Sequence, residues 1–426
     1  MMKKETYSAY CEILKDELIP ALGCTEPIAI AYASALSSSL LEEDPERIDI
    51  FVSPNIIKNV KSVIVPNTNG EKGIDTAVAA GIVSSRSDKA LEILNYLKEE
   101  DIKKIKDFKK KTKINIKQSP KPYVFSIIVN SFGKNHNSSV EIAGFHTNVI
   151  KIQKDGAVIK NLEYSEKGNE KKNHDCLNIK DIVEFASIVS LEDVREIIER
   201  QIDYNMKIAN EGLTGKWGAS IGKILLSSCG KDIHNKARSY AAAAADARMN
   251  GSRLPVIINS GSGNQGITVS VPVICFAEEE KKSREELIRA LVVSNLVAIH
   301  LKTGIGSLSA YCGATSAASA SSAGIMYLNG GREKEVSHVV VNSLAIASGM
   351  ICDGAKASCA AKIASAVGAA LIGYEMYRNN KEFYGGEGIV EKGVENTIKN
   401  VGRLASVGMR ETDKTIIEIM TKDCDI

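Results

Sequence analysis

Cys312, Cys352 and Cys359 stand among glycine and alanine, in the stretches SAYCGATSA and MICDGAKASCAAK, where small neighbours let a bulky inorganic core approach the backbone. Soft thiolates suit iron–sulfur clusters and zinc. Three of them are one too few to close a four-iron cubane, and an iron without a protein ligand is a Lewis acid. Zinc fits less well, because no CxxC pair or nearby histidine completes a tetrahedral site. On one uninterrupted helix Cys352 and Cys359 would be separated by a rise of about 10.5 Å, too far for two corners of one small cluster. Asp353-Gly354 supplies the break this requires, so Cys352 is expected to close the helix containing SHVVVNSLAIASGM and Cys359 to open the helix CAAKIASAVGAALIGY. Cys312 is expected at another helix start, after TGIGSLSAY. A helix N-terminus stabilises a thiolate and the negative charge of a thiolate-ligated cluster. The competing reading makes all three small buried residues of an alanine-rich core.

The segments that must hold these cysteines change texture twice. Just after Cys24 a helix is expected over PIAIAYASALSSSLL, with Thr25 as its cap and Pro27 in the tolerant first turn. From residue 45 to 185 the chain turns Lys- and Ile-rich. Short β-branched runs (IDIFVS, KSVIVP, KINIKQ, YVFSIIVNS, VEIAGF, NVIKIQ) alternate there with turns and one helical segment, DKALEILNYLKEEDIKKIKDF. Beyond Ser187, alanine, glycine and serine dominate runs such as RSYAAAAADARM and ATSAASASSAGIMYL, as in closely packed helices. The fold expected is α+β: a mostly α-helical unit of residues 1–44 plus 186–426 carrying the cysteines, interrupted by an inserted α+β domain, 45–185, with a largely antiparallel sheet. Cys24 can reach the C-terminal cysteines only if the N-terminal segment packs on the C-terminal helices, which would leave the sheet domain as an insertion and a lid.

Composition narrows the partners. With 54 Lys+Arg against 52 Asp+Glu, the net charge of +2 argues against a nucleic-acid or membrane-surface protein, and a small molecule is the expected partner. The start MMKKETYSAYCEILKDELIP is charged throughout, and no uninterrupted apolar run reaches the roughly 18 residues a span needs, so a cytoplasmic protein is expected. Nine irregularly spaced cysteines do not form a disulfide framework. Cys11, Cys176, Cys229 and Cys275 are expected to be structural, and Cys424, close to the C-terminus, to lie in a frayed tail. The six histidines are scattered without a paired motif and are expected at the surface or in the core. Alanine-rich helices with few aromatics favour a homodimer.

Four stretches in order, LIPALGCTEPIAIAYASA, SGSGNQGITVSVPV, YCGATSA and ICDGAKASCAAK, resemble the L-cysteine desulfidase family, which is related to the alpha part of iron–sulfur L-serine dehydratases. The resemblance runs over essentially the whole chain. It implies a 4Fe-4S cluster ligated by Cys312, Cys352 and Cys359, a catalytic base at Cys24, and an all-α unit around the cluster. The chemistry implied is non-redox α,β-elimination of L-cysteine to pyruvate, ammonia and hydrogen sulfide, the substrate thiolate binding the open iron. A thiol titrating near 8.5 is expected to be partly ionised at a helix N-terminus, as Cys24 would be. In SGSGNQG, clustered backbone N–H groups with Ser260, Gly261, Ser262 and Asn264 offer a cradle for the substrate's charged groups, or a plain glycine turn. By resemblance Asn67 and Thr68, in VPNTNG, are placed on the substrate side. Other classes stay open: an iron–sulfur L-serine dehydratase, a pyridoxal-phosphate β-eliminating lyase, which lacks a convincing Schiff-base lysine because Lys58 lies in a strand-rich stretch, and a non-enzymatic iron–sulfur sensor.

Overall fold

Two hydrophobic cores meet along one face, and Cys24, Cys312, Cys352 and Cys359 line the cavity where they meet. The computed structural model describes residues 2–165, 174–306 and 308–421. The chain begins with α1 (Lys4–Glu17), the short strand β1 (Pro20–Leu22) and α2 (Thr25–Ser39). Next come β2 (Arg47–Val52), α3 (Pro54–Val60), α4 (Ile74–Ser84), a 3-10 helix over Ser87–Tyr96 and α5 (Glu99–Lys111). Five strands follow: β3 (Lys113–Gln118), β4 (Ser126–Phe132), β5 (Asn137–Ala143), β6 (Val149–Lys154) and β7 (Ala157–Asn161). The helical series is α6 (Ile179–Ile188), α7 (Leu191–Thr214), α8 (Ile221–Ser228), α9 (Ile233–Met249), the short strand β8 (Pro255–Ile257), α10 (Gly263–Glu279), α11 (Arg284–Thr303) and α12 (Gly313–Leu328). It ends with α13 (Glu333–Ala347), α14 (Cys359–Arg378), α15 (Val394–Arg403), a π-helical turn over Leu404–Gly408, and α16 (Arg410–Thr421).

The fold is mostly helical α+β. Its six-stranded sheet has the order β3-β2-β4-β5-β6-β7, antiparallel except for the β2–β3 pair. Alternation along β2 explains its place: Ile48, Ile50 and Val52 are buried while Arg47 is exposed, the period-2 pattern of a half-covered strand. KSVIVP, expected as a strand, is instead a turn held by one bridge, Ile64–Lys72, because Pro66 and the left-handed Asn67 and Asn69 bend the chain away from any ladder.

The helices at the two junctions pack opposite to expectation. α1 contributes Tyr10, Ile13 and Leu14 to the helical core, but α2 contributes Ile28, Ala29, Ile30 and Ala31 to the core of the sheet. A helix apolar on every side must be buried on every side, and α2 finds that burial between α4 and strands β4 and β5. Ser37 fixes the contact, donating to Ser131 Oγ at 2.9 Å while its carbonyl accepts from Ser138 Oγ at 2.7 Å. Conversely, α6 places Ile179, Ile182 and Phe185 in the helical core, so sheet packing stops before it. In that core small residues bring backbones together. A Cβ on Gly212 of α7 would lie 1.9 Å from the Ala243 carbonyl oxygen of α9. By length and composition α14 could cross a membrane, and here it packs against α9, α12 and α13.

Candidate active site

Two short pairings bring distant cysteines together. The β1–β8 ladder pairs Leu22 with Pro255 and Pro20 with Ile257, setting the segment that enters Cys24 beside the one that leads to Ser260. The Thr25 hydroxyl lies between the Glu26 carboxylate and Gly261 O, 3.2 and 3.1 Å away. The second pairing is the antiparallel bridge Tyr311–Ile351, where Cys312 N–H donates to Met350 O at 3.1 Å and Cys352 N–H to Ala310 O at 2.6 Å. Gly354 then turns the chain with φ 91° and passes so close to α3 that a Cβ would sit 2.2 Å from the Lys58 carbonyl oxygen. Cys359 follows as the first residue of α14, and Cys312 caps α12. Cys352 lies in the loop past α13 rather than at its end, because α13 stops at Ala347 and Gly349 intervenes.

Cys24, Cys312, Cys352 and Cys359 all line one cavity of about 1200 Å³ between the helical and sheet units. Burial, and next the neighbouring Cys352, pushes the Cys312 thiol up to about 12; burial also raises Cys359. Cations face them. Burial brings the Lys302 ammonium down to about 8 against the pull of Cys352 and Cys312. Lys362 reaches the same two thiols and is ion-paired with Asp353. Asp353, against the effect of its own burial, is held at about 2 by Lys356 and Lys362. Among the described residues, no three His, Cys, Asp or Glu side chains converge closely enough for a single metal ion.

Cys24 caps α2 and is 5% exposed, sharing a small apolar pocket with Val63 and Met249 against which Ala355 and Cys359 pack. Its Sγ–H donates to Glu26 Oε2 at 3.1 Å. The expected partial ionisation of Cys24 is corrected here: burial first, then the Glu26 charge, lifts the thiol well above its usual value, against the opposing charge of Arg248 and the Glu26 backbone N–H. Desolvation outweighs the helix terminus. Glu26 is 8% exposed, yet its carboxyl is lowered despite burial, by the charge of His146 and by hydrogen bonds from Cys24 and from Asn59 Nδ2, 2.9 Å from Oε1. The pair rests with its proton on sulfur and its charge on the carboxylate.

Ser260, Gly261, Ser262 and Asn264 line the same cavity. Their side chains are partly committed: Ser260 Oγ donates to Asn259 Oδ1 at 2.9 Å, Ser262 caps α10, and Asn264 Oδ1 accepts from Arg248. Asn67 and Thr68 are not brought there. Asn67 Nδ2 donates to Leu94 O at 2.8 Å and Thr68 Oγ1 to Val65 O at 2.7 Å, so both tie up the turn whose Pro66 packs on Gly23, just before Cys24. Lys58 lies in a helix, not a strand, and its buried ammonium is bound to Asp413 of α16 at 2.5 Å. Cys11 and Cys275 are buried in the helical core, Cys176 is half-buried and Cys229 exposed; all described cysteines are free. Cys424 lies outside the described residues.

A family model described as the serine dehydratase alpha chain matches residues 88–418. The chain belongs to that family. Members are iron–sulfur-associated and dehydratase-like or lyase-like. A UPF0597 protein of Desulfitobacterium hafniense is 49% identical over 419 residues, covering 98% of this chain and 97% of its own. UPF0597 proteins of Finegoldia magna, 46% identical over 413 residues (96% and 99% of the two chains), and Treponema denticola, 44% over 429 (99% and 100%), are similar throughout. The match to the serine dehydratase alpha chain spans all three C-terminal cysteines and leaves Cys24 and Glu26 to the similarity with the UPF0597 proteins. Glu26, Arg248 and His146, with Asn59, Lys302 and Lys362, are cavity residues that motif reading passed over. The available signal was a carboxylate two positions after Cys24 and an arginine, Arg248, near the end of the alanine run RSYAAAAADARM.

Proposed function

We propose that this member of the serine dehydratase alpha chain family is an L-cysteine desulfidase, with Cys312, Cys352 and Cys359 holding a 4Fe-4S cluster and Cys24 acting as base. The observation that carries the reading is the gathering of four cysteines in one cavity, three of them acting electrostatically on one another and the fourth hydrogen-bonded to a carboxylate. The donor set suits a cluster better than an ion. Zinc needs its sulfurs about 2.3 Å from a single point, whereas a cubane carries its irons at separate corners and accepts ligands that stand apart. Lys302 and Lys362, close to the thiols, supply countercharge. A cluster bound there supplies a Lewis acid for a leaving sulfur.

The remaining work falls to the chain. As Cys24 sulfur takes the α-proton, the proton it already carries passes to Glu26 Oε2, so a neutral thiol functions as a base without first ionising. Asn59 and His146 hold Glu26 as a carboxylate ready to receive it. Loss of the α-proton and of sulfide from L-cysteine leaves aminoacrylate, and its hydrolysis by one water gives pyruvate and ammonia. Pro122, Phe125, Ile363 and Met409 give the cavity part of its apolar lining.

The second reading, elimination of water from L-serine, is favoured by the description of the family model. Soft thiolate affinity for iron favours cysteine. Anaerobically reconstituted protein is expected to release sulfide from L-cysteine much faster than pyruvate from L-serine; equal or reversed rates would assign it as a dehydratase. A cluster-free active protein carrying a borohydride-trapped aldimine would assign the pyridoxal-phosphate class.

A further inference from the structure

Arg248, the penultimate residue of α9, is 4% exposed and lines the cavity. An arginine is charged at any physiological pH, and a buried charge without a counterion is strongly disfavoured. Yet no carboxylate lies within ion-pair distance of it among the described residues. Its one hydrogen bond to a protein oxygen runs from Nη1 to Asn264 Oδ1 at 2.9 Å, and its buried Nε has no partner. The guanidinium also hydrogen-bonds the sulfur of Cys24 and is acted on by the charges of Glu26 and Cys359. Gly263 makes this position available, because a Cβ there would fall 2.3 Å from Arg248 Nε.

The first turn of α10 adds two things. Its early N–H groups have no intrahelical partner; Ser262 takes that of Gln265, and those of Gly263 and Asn264 have no protein acceptor among the described residues. Gln265 itself, 6% exposed, lines the cavity beside Gly313 with its buried Oε1 unpartnered. A cationic fork without a carboxylate counterion and an unmatched acceptor thus line the same cavity. Their complement is a molecule bearing a carboxylate and an ammonium on one carbon.

We infer that Arg248 and the α10 N-terminus bind the α-carboxylate, and Gln265 Oε1 the α-ammonium, of an α-amino acid substrate. The choice of L-cysteine rests on the proposed function above; the two-point anchor does not. It sets the α-carbon beside Cys24, and Gln265, next to the residue after Cys312, directs the β-substituent to the three cysteines.

Calorimetric titration of the anaerobically reconstituted protein tests this with ligands that cannot be eliminated: L-alanine, propionate, which lacks the ammonium, and ethylamine, which lacks the carboxylate. Wild type is expected to bind L-alanine best. R248Q is expected to weaken L-alanine and propionate at least about 100-fold, the cost of removing one partner of a buried charge pair. R248K, with charge but no fork, is expected to fall between. Q265L is expected to weaken L-alanine but not propionate, with iron content unchanged in all three variants. Undiminished L-alanine binding by R248Q, or no L-alanine binding by wild type, overturns the anchor. Loss of iron from both R248Q and R248K would make Arg248 a countercharge for the cluster and overturn it as well. If L-cysteine is not turned over while L-alanine binding still depends on Arg248, the anchor stands and the desulfidase reading alone fails.

Discussion

At the residue scale, the proposed proton transfer rests on the Cys24–Glu26 pair. Glu26→Gln keeps shape and hydrogen bonding near Asn59 but cannot take the thiol proton, so kcat is expected to fall by about 10²–10⁴-fold with iron content unchanged. Loss of iron in that variant, or near-normal kcat, would remove Glu26 from the chemistry. The pH profile carries a sign as well. Glu26 titrates below the usual carboxylate range and Cys24 above the usual thiol range, so kcat/KM is expected to stay level across neutral pH and to drop only as acid protonates Glu26. A rise through neutral pH would mean that the thiolate acts unaided. The cluster-type contexts of Cys312, Cys352 and Cys359 were legible in sequence because small neighbours and the Asp353-Gly354 break are local features. The state of Cys24 was not, because its burial comes from Val63, Met249 and Cys359, which no local pattern connects to it.

At the scale of elements, α16 closes the cavity from one side by anchoring Asp413 to Lys58 on α3. The Lys58 side chain is 1% exposed, and stranding a charge that deeply buried costs about 3 kcal/mol. Asp413→Asn is therefore expected to speed amide exchange in α16 by hydrogen exchange, leaving the α7–α9 packing protected; uniform protection would show that the ion pair does not hold the helix. A second element is held by Asp246 of α9, which accepts from Gly222 N–H at 3.0 Å at the start of α8. Burial raises its carboxyl from 3.8 to about 6, so the folded protein binds the proton more tightly than the unfolded chain does. Its contribution to stability is fully present below 3.8 and is lost as pH rises through about 6. Denaturation of Asp246→Asn across that window is expected to show a flatter pH dependence than wild type; identical slopes would refute it. Most elements were readable from period and composition, including five of the six sheet strands and the helix starts at Thr25, Gly313 and Cys359. The allegiance of α2 was not, since a helix apolar on all sides carries no stripe that names its partner.

At the scale of the molecule, the proposed chemistry sits where two cores touch. The helical unit brings the three C-terminal cysteines, Arg248 and the α10 turn, while the sheet unit brings Cys24 and Glu26 on α2, Asn59 on α3 and His146. On the proposed function, a relative shift of the two units would separate Cys24 from the three C-terminal cysteines, which gives the β1–β8 ladder and the Lys58–Asp413 pair a part in holding the site together. The sequence order of motifs conveyed that Cys24 meets the others; that it does so from the sheet side required the fold. The most direct measurement is iron and inorganic sulfide per chain, with L-cysteine turnover on the same anaerobic samples, for wild type, Cys24→Ala and Cys312→Ala. Expected are about four of each in wild type and Cys24→Ala, turnover in wild type alone, and no cluster in Cys312→Ala. A Cys24→Ala protein that loses its iron, or a Cys312→Ala protein that keeps a full cluster, would contradict the division of the four cysteines into three ligands and one base.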